Sequence, residues 1–163
     1  MNTYRYYVGI DPDVSKSGVV LLDKQQRTFT FVDALTFTET IRYLHTLDTS
    51  QTCVVIEDSD TATNWHYNSR DTKAICAAKG RSVGMCHATA RHLREYAENI
   101  GLIVQLQHPL RKCWHGQDGK ITHDELMFFT RGLPTRTNQE MRDAALLAWV
   151  VADLAVRVKI VNR

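Results

Sequence analysis

Apolar and polar positions follow two rhythms along the chain, one of short runs and one of helical spacing. Residues 4–11 are apolar or aromatic apart from Arg5 and the closing Asp11, which predicts a strand. Residues 18–22 and 28–32 predict two more, and the polar Asp23-Lys24-Gln25-Gln26-Arg27 between them reads as a hairpin connection. Residues 38–47 place Ile41, Leu44 and Leu47 on one helical face. A fourth strand over 52–57 then follows a helical crossover, so it should run parallel to the first. The polar stretch 58–70 reads as a loop or an irregular helix entry. From 72 to 99 the pattern is helical, with Gly80 and Gly84 marking a break and Gly101 placed to cap the end. Val83, Cys86, Ala90, Leu93, Ala97 and Ile100 form a narrow apolar stripe along it. Such a stripe packs either on the chain's own sheet or against a second copy. Residues 103–106 predict a fifth strand and 109–119 a basic, glycine-bearing loop. Residues 122–129 predict a short helix opened by a capping box, Thr122 with Glu125. A last helix is predicted from about 138 to 158. The order β-β-β-α-β-α-β-α-α implies an α/β fold, a mixed sheet with helices on its faces.

Composition narrows the class. A length of 163 residues suits a single domain spanning 1–163, and 44% hydrophobic with 23% charged residues is ordinary for a globular protein. Segment 144–158 is interrupted by Asp153 and Arg157, so no membrane span is expected. The first residues lack the layout of a signal peptide. Cys53, Cys76, Cys86 and Cys113 form no zinc spacing, and four unpaired thiols agree with a reducing compartment, so a cytoplasmic location is expected. The net charge of +2 adds little. Basic residues recur at Lys79/Arg81, Arg91/Arg94, Arg111/Lys112, Lys120 and Arg131/Arg136, which would form either a phosphate-binding patch or a solvated surface.

The candidate chemistry lies in four carboxylates. Asp11 and Glu57 close the first and fourth strands, on the edge where α/β sheets hold ligands. Glu140 and Asp143 stand three apart on a predicted helix and share a face. Together they are suited to a divalent cation such as Mg²⁺, which takes oxygen ligands, and two such ions would clamp a phosphodiester for hydrolysis. Each acid also has a structural alternative. Asp11 could cap the turn toward Pro12, and Asp58 could serve in place of Glu57. Thr137-Asn138-Gln139-Glu140 could be a capping box that turns Glu140 back onto the backbone. Asp143 sits at the edge of an apolar face and needs a partner. His115 and His123 are further candidates for a general base or a phosphate contact, and Trp149 is expected in the core.

With these residues in place, the chain resembles the RuvC-type Holliday-junction resolvases of the ribonuclease H-like superfamily. The likeness is carried by Gly9-Ile10-Asp11-Pro12 with Ser17-Gly18, by Val54-Val55-Ile56-Glu57, by the long helix near Gly80, and by Glu140-Met141-Arg142-Asp143-Ala144-Ala145-Leu146-Leu147-Ala148. It implies a ribonuclease H-like fold with a five-stranded mixed sheet flanked by helices. It further implies a homodimer that uses Mg²⁺ or Mn²⁺ to cut a four-way DNA junction symmetrically. By position, Asp11, Glu57 and Asp143 match three family metal acids, and Glu140 matches a fourth that is more often Asp. Lys112 and Lys120 match lysines that contact phosphates or stabilise developing charge, with Arg111 beside them. Two departures stand out. Asp13 replaces a common glycine, and 58–61 lacks the aromatic that wedges into the junction, leaving Trp65 and Tyr67 farther along to stack on bases. Two rivals remain open in the same setting: another ribonuclease H-like nuclease acting on RNA or branched DNA, and a nucleic-acid binder without cleavage. A third, an actin-like phosphotransferase, needs two lobes to enclose ATP.

Overall fold

Five strands align in the order β3-β2-β1-β4-β5 in the computed structural model, which describes residues 4–58 and 68–157. The strands are β1 (Tyr6–Asp11), β2 (Ser17–Asp23), β3 (Thr28–Leu35), β4 (Thr52–Glu57) and β5 (Ile103–Gln107). The helices are α1 (Phe37–Leu44), α2 (Lys73–Asn99), α3 (His123–Phe129) and α4 (Gln139–Val151). β1 pairs antiparallel with β2 and parallel with β4, and β4 pairs parallel with β5. This is the five-stranded mixed sheet expected from the sequence. β1 and β4 lie inside it with both faces covered, which is why their sequences are apolar at successive positions.

Alternation divides the core into two layers. Tyr7 of β1 and Cys53 and Val55 of β4 face α4, with Val20 and Leu22 of β2. Val8, Ile10, Val54 and Ile56 face the other way, onto Leu44 of α1 and Leu93 and Ala97 of α2. By the period of two, Asp11 follows Tyr7 and Gly9 onto the α4 face, and Glu57 follows Cys53 and Val55.

α4 lies unusually close to the sheet. A Cβ on Gly9 would stand 2.2 Å from the carbonyl oxygen of Ala144, and one on Gly18 would stand 2.0 Å from that of Glu140. Two glycines thus bring helix backbone onto strand backbone, and Ala144, Ala145 and Ala148 complete the seam while fully buried. The far side of α4 is covered too: Trp149 packs against Phe29 and Phe129, as its core assignment anticipates. Truncating fully buried Leu147 to alanine in such a layer removes about 2–5 kcal/mol.

Three expectations are corrected. α2 runs unbroken for 27 residues through Gly80 and Gly84. Its end is as expected: Gly101 takes φ +87, its N–H reaches Glu98 and that of Leu102 reaches Ala97, closing the helix with buried Leu102 as the apolar stop. α4 ends at Val151, seven residues early. There Asp153 adopts φ 58 while the N–H of Leu154 returns to Trp149, so an aspartate fills the left-handed position usually given to glycine. Finally, the cap of α4 is Asn138, whose side chain accepts from the Met141 N–H, so Glu140 does not turn back onto Thr137. The Thr137 hydroxyl is engaged elsewhere, by His123 and Arg142.

Candidate metal centre

The parallel register of β1 and β4 places Ile10 beside Ile56, so Asp11 and Glu57 emerge level at the ends of strands about 4.8 Å apart. In the antiparallel register Asp11 pairs with Gly18, whose missing side chain admits the carbonyl of Glu140. The opening turn of α4 therefore lies over the end of β1, and Glu140 and Asp143 come from that turn and the next. Both are partly buried.

Their charges act on one another. Burial drives the Asp11 carboxyl well above its ordinary range, and Glu57, Asp143 and Glu140 push it further, with Lys120 opposing. Glu57 is raised by burial and then by Asp143, against Lys120 and Lys112. The Lys120 ammonium lies 2.8 Å from Oδ2 of Asp143. Burial disfavours its charge, yet the bond to Asp143 and the nearby Asp11 and Glu140 hold its pKa above the usual lysine value. Four acids and one lysine thus form a single electrostatic unit.

The lysine arrives by a folded loop. The N–H of Trp114 bonds the carbonyl of Gly119 at 3.0 Å, and that of Gly116 bonds the carbonyl of Lys120 at 2.9 Å. Trp114 stacks on Phe129 and anchors the loop to the core. Lys112 packs against Gly119, so the two lysines singled out from the sequence start from adjacent backbone. Arg111 and Lys112 are exposed beside them. Trp65 and Tyr67 lie outside the described residues.

Other candidates find structural roles. Asp13 accepts from the N–H and hydroxyl of Ser15, tying the β1–β2 turn. Burial opposes its charge, but these bonds prevail and its pKa falls. His115 bonds Glu125 at 2.6 Å, and His123 bonds the Thr137 hydroxyl at 2.9 Å, so neither serves as an uncommitted base. Three residues around the acids went unrecognised in the sequence, of which Gln139 alone bonds an acid. Gln107 stands opposite Glu57 in the β4–β5 register. Gln139 donates to Asp143 at 2.7 Å, and Arg142 bonds Gln139. The i, i+4 spacing of Gln139 and Asp143 was the available signal.

Among the described residues no three His, Cys, Asp or Glu side chains stand together as a ready-made cation cage. In chemistry, however, the set fits a hard divalent cation: four carboxylates, two of them raised by burial and then by their neighbours' charge. Asp11, Glu57, Glu140 and Asp143 are the residues that would hold such a cation.

No family model matches this chain, and no curated protein does. Among solved structures it is similar to Thermus thermophilus RuvC in complex with a Holliday junction substrate, at 11% identity over 89% of this chain and 90% of that one, with a TM-score of 0.47. It is likewise similar to a Thermus thermophilus RuvC structure, at 13% identity over 88% and 90% of the two chains, with a TM-score of 0.47.

Proposed function

We propose that this chain is a divalent-metal-dependent DNA endonuclease of the RuvC type, acting on branched DNA and in particular on four-way junctions. One observation carries the reading: Asp11, Glu57 and the helical pair Glu140 and Asp143, from three distant segments, come near enough at the end of the sheet to act on one another's charge, with Lys120 among them. A structural role accounts poorly for that group, since like charges at a partly buried site oppose folding. Mg²⁺ or Mn²⁺ held there supplies Lewis-acid polarisation of a phosphodiester and lowers the pKa of water.

The chain's own residues do the rest. The acids gather negative charge on the rigid ends of β1, β4 and α4. Lys120 carries positive charge into the same place and stabilises charge developing on the phosphate. Lys112 and Arg111, exposed on the adjoining loop, hold the DNA backbone and read no sequence. Trp65 and Tyr67 are the aromatics available to stack on bases opened at a junction. Water adds to phosphorus as the bond to the 3′-oxygen breaks, leaving a 5′-phosphate and a 3′-hydroxyl.

Two symmetric cuts need two such sites, and a homodimer supplies them. The first half of α2 supports this, because it carries exposed Ile75 and Met85 and only half-buried Val83, while the second half packs on the sheet through Leu93 and Ala97. No helix of the described residues is long and apolar enough to cross a membrane.

The test is a cleavage panel of four-way junction, linear duplex and RNA–DNA hybrid, each with Mg²⁺, Mn²⁺ or EDTA, for wild type, Asp11→Asn and Asp143→Asn. Paired nicks on the junction that vanish with EDTA and in both variants are expected. Cleavage by the variants at the wild-type rate removes the proposal, and junction binding without cleavage by any form reassigns the chain as a binder.

A further inference from the structure

Both oxygens of Asp143 are engaged, by donors of different kinds. The Lys120 ammonium meets Oδ2 at 2.8 Å from the end of a flexible stem, and its side chain is 37% accessible. The Gln139 amide meets Oδ1 at 2.7 Å. Its orientation is dictated from behind. Arg142 donates from Nη2 to the amide oxygen of Gln139 at 2.7 Å, and a guanidinium has only donors to offer. The amide oxygen must therefore face Arg142, which leaves the NH₂ for Asp143. Arg142 is in turn fixed to backbone at two points, donating from Nη1 to the carbonyl of Thr137 at 2.6 Å and from Nε to that of Ile121 at 3.0 Å. Ile121 directly follows Lys120. One arginine thus sets both the amide on Oδ1 and the backbone from which the ammonium reaches Oδ2.

We propose that Gln139, oriented by Arg142, is a positioning residue for Asp143: it retains Oδ1, so that Oδ2 is the oxygen a divalent cation takes over from Lys120. The inference rests on reading the four acids as a metal centre. Its physical basis is the difference in charge between the two donors. A divalent cation repels an ammonium but not a neutral amide, so the amide stays and the ammonium yields. Gln139 then favours cation binding by holding the carboxylate in place, whereas Lys120 competes with the cation for the same oxygen. The two partners of one aspartate should affect cation affinity in opposite directions, which a purely structural role for either would not produce.

Calorimetric titration of Mn²⁺ into the full chain tests this, with the metal-free melting temperature recorded for each protein. The set is wild type, Gln139→Met, Arg142→Lys, Lys120→Met and Asp143→Asn. Gln139→Met should bind Mn²⁺ about tenfold more weakly or worse, the usual cost of losing a residue that orients a ligand. Arg142→Lys should shift affinity the same way and carries the test if Gln139→Met does not fold. Lys120→Met should bind more tightly. Wild-type affinity in both Gln139→Met and Arg142→Lys, with weakened binding by Asp143→Asn, overturns the positioning role and leaves the metal centre standing. Weakened binding by Lys120→Met overturns the exchange at Oδ2. Equal binding by wild type and Asp143→Asn removes the metal centre and this inference with it.

Discussion

Asp11 shows how far one residue's chemistry can work against its own fold. Burial and three like charges act on its carboxylate, with Lys120 as the opposing cation. Asp11→Asn removes one charge from that group at nearly constant shape. The variant is expected to lose cleavage and yet melt above the metal-free wild type by a few degrees in EDTA; scanning calorimetry of both proteins checks it. Glu125 is the reverse case. Burial opposes its charge, but the N–H and hydroxyl of Thr122 and the side chain and N–H of His115 outweigh it and hold the carboxyl down at about 2. Its folded-state pKa is depressed, so the stability it contributes is complete above the unfolded value of about 4.3 and is lost as pH falls through about 2. Glu125→Gln should cost on the order of 2 kcal/mol at pH 7 and flatten the loss of stability between about pH 4.3 and 2, read from urea midpoints across that range. Much at this scale was legible beforehand: the Thr122–Glu125 capping box and the four acids announce themselves by spacing and by the strands they close. Gln139 was not, because a glutamine beside a capping motif looks like filler until Arg142 is seen to orient it.

Elements were legible where local rules decide and misread where tertiary packing does. Apolar runs identify β1 and β4, and Gly101 marks the end of α2 because a left-handed position there favours glycine. The same reasoning misplaced a break at Gly80 and Gly84. Glycine inside a helix costs about 1 kcal/mol relative to alanine but does not stop it when the residues on both sides remain helical. A Cβ on Gly84 would meet nothing within 4 Å. Gly84→Ala should therefore stabilise the single chain by about 0.5–1 kcal/mol, measured by chemical denaturation. The end of α4 was missed for the complementary reason: Asp153 holds the left-handed turn, and no glycine or proline advertises the stop.

At the scale of the molecule, the antiparallel neighbours and the parallel β1–β4 pairing were legible because the hairpin and the crossover leave few arrangements, whereas the place of β5 was not. Burial by layer was recoverable as well, since alternation assigns the acids to a face. What the pattern could not supply was the loop that delivers positive charge, whose path depends on the Trp114–Phe129 stack and on bonds between residues 114–116 and 119–120. On the proposed function, that loop sets how the protein meets a polyanion. Lys112→Ala, in the exposed part of it, should weaken binding of every DNA tested to a similar degree and reduce the slope of log affinity against log salt by about 1. Fluorescence anisotropy over a range of KCl concentrations checks this, and a loss confined to one sequence would instead assign Lys112 to base contact.

The glycines at positions 9 and 18 carry a consequence for how the proposed centre can change over generations. Where peptide rests on peptide, no bulkier or slimmer side chain is available to adjust the spacing between α4 and the two strands beneath it. On the proposed function, adaptation to a different ion or substrate must therefore come through exchange of the candidate ligands, Glu140 among them, or through remodelling of the peripheral loops. A saturation library selected for cleavage should tolerate nothing but glycine at either position, although neither has a side chain to offer the reaction.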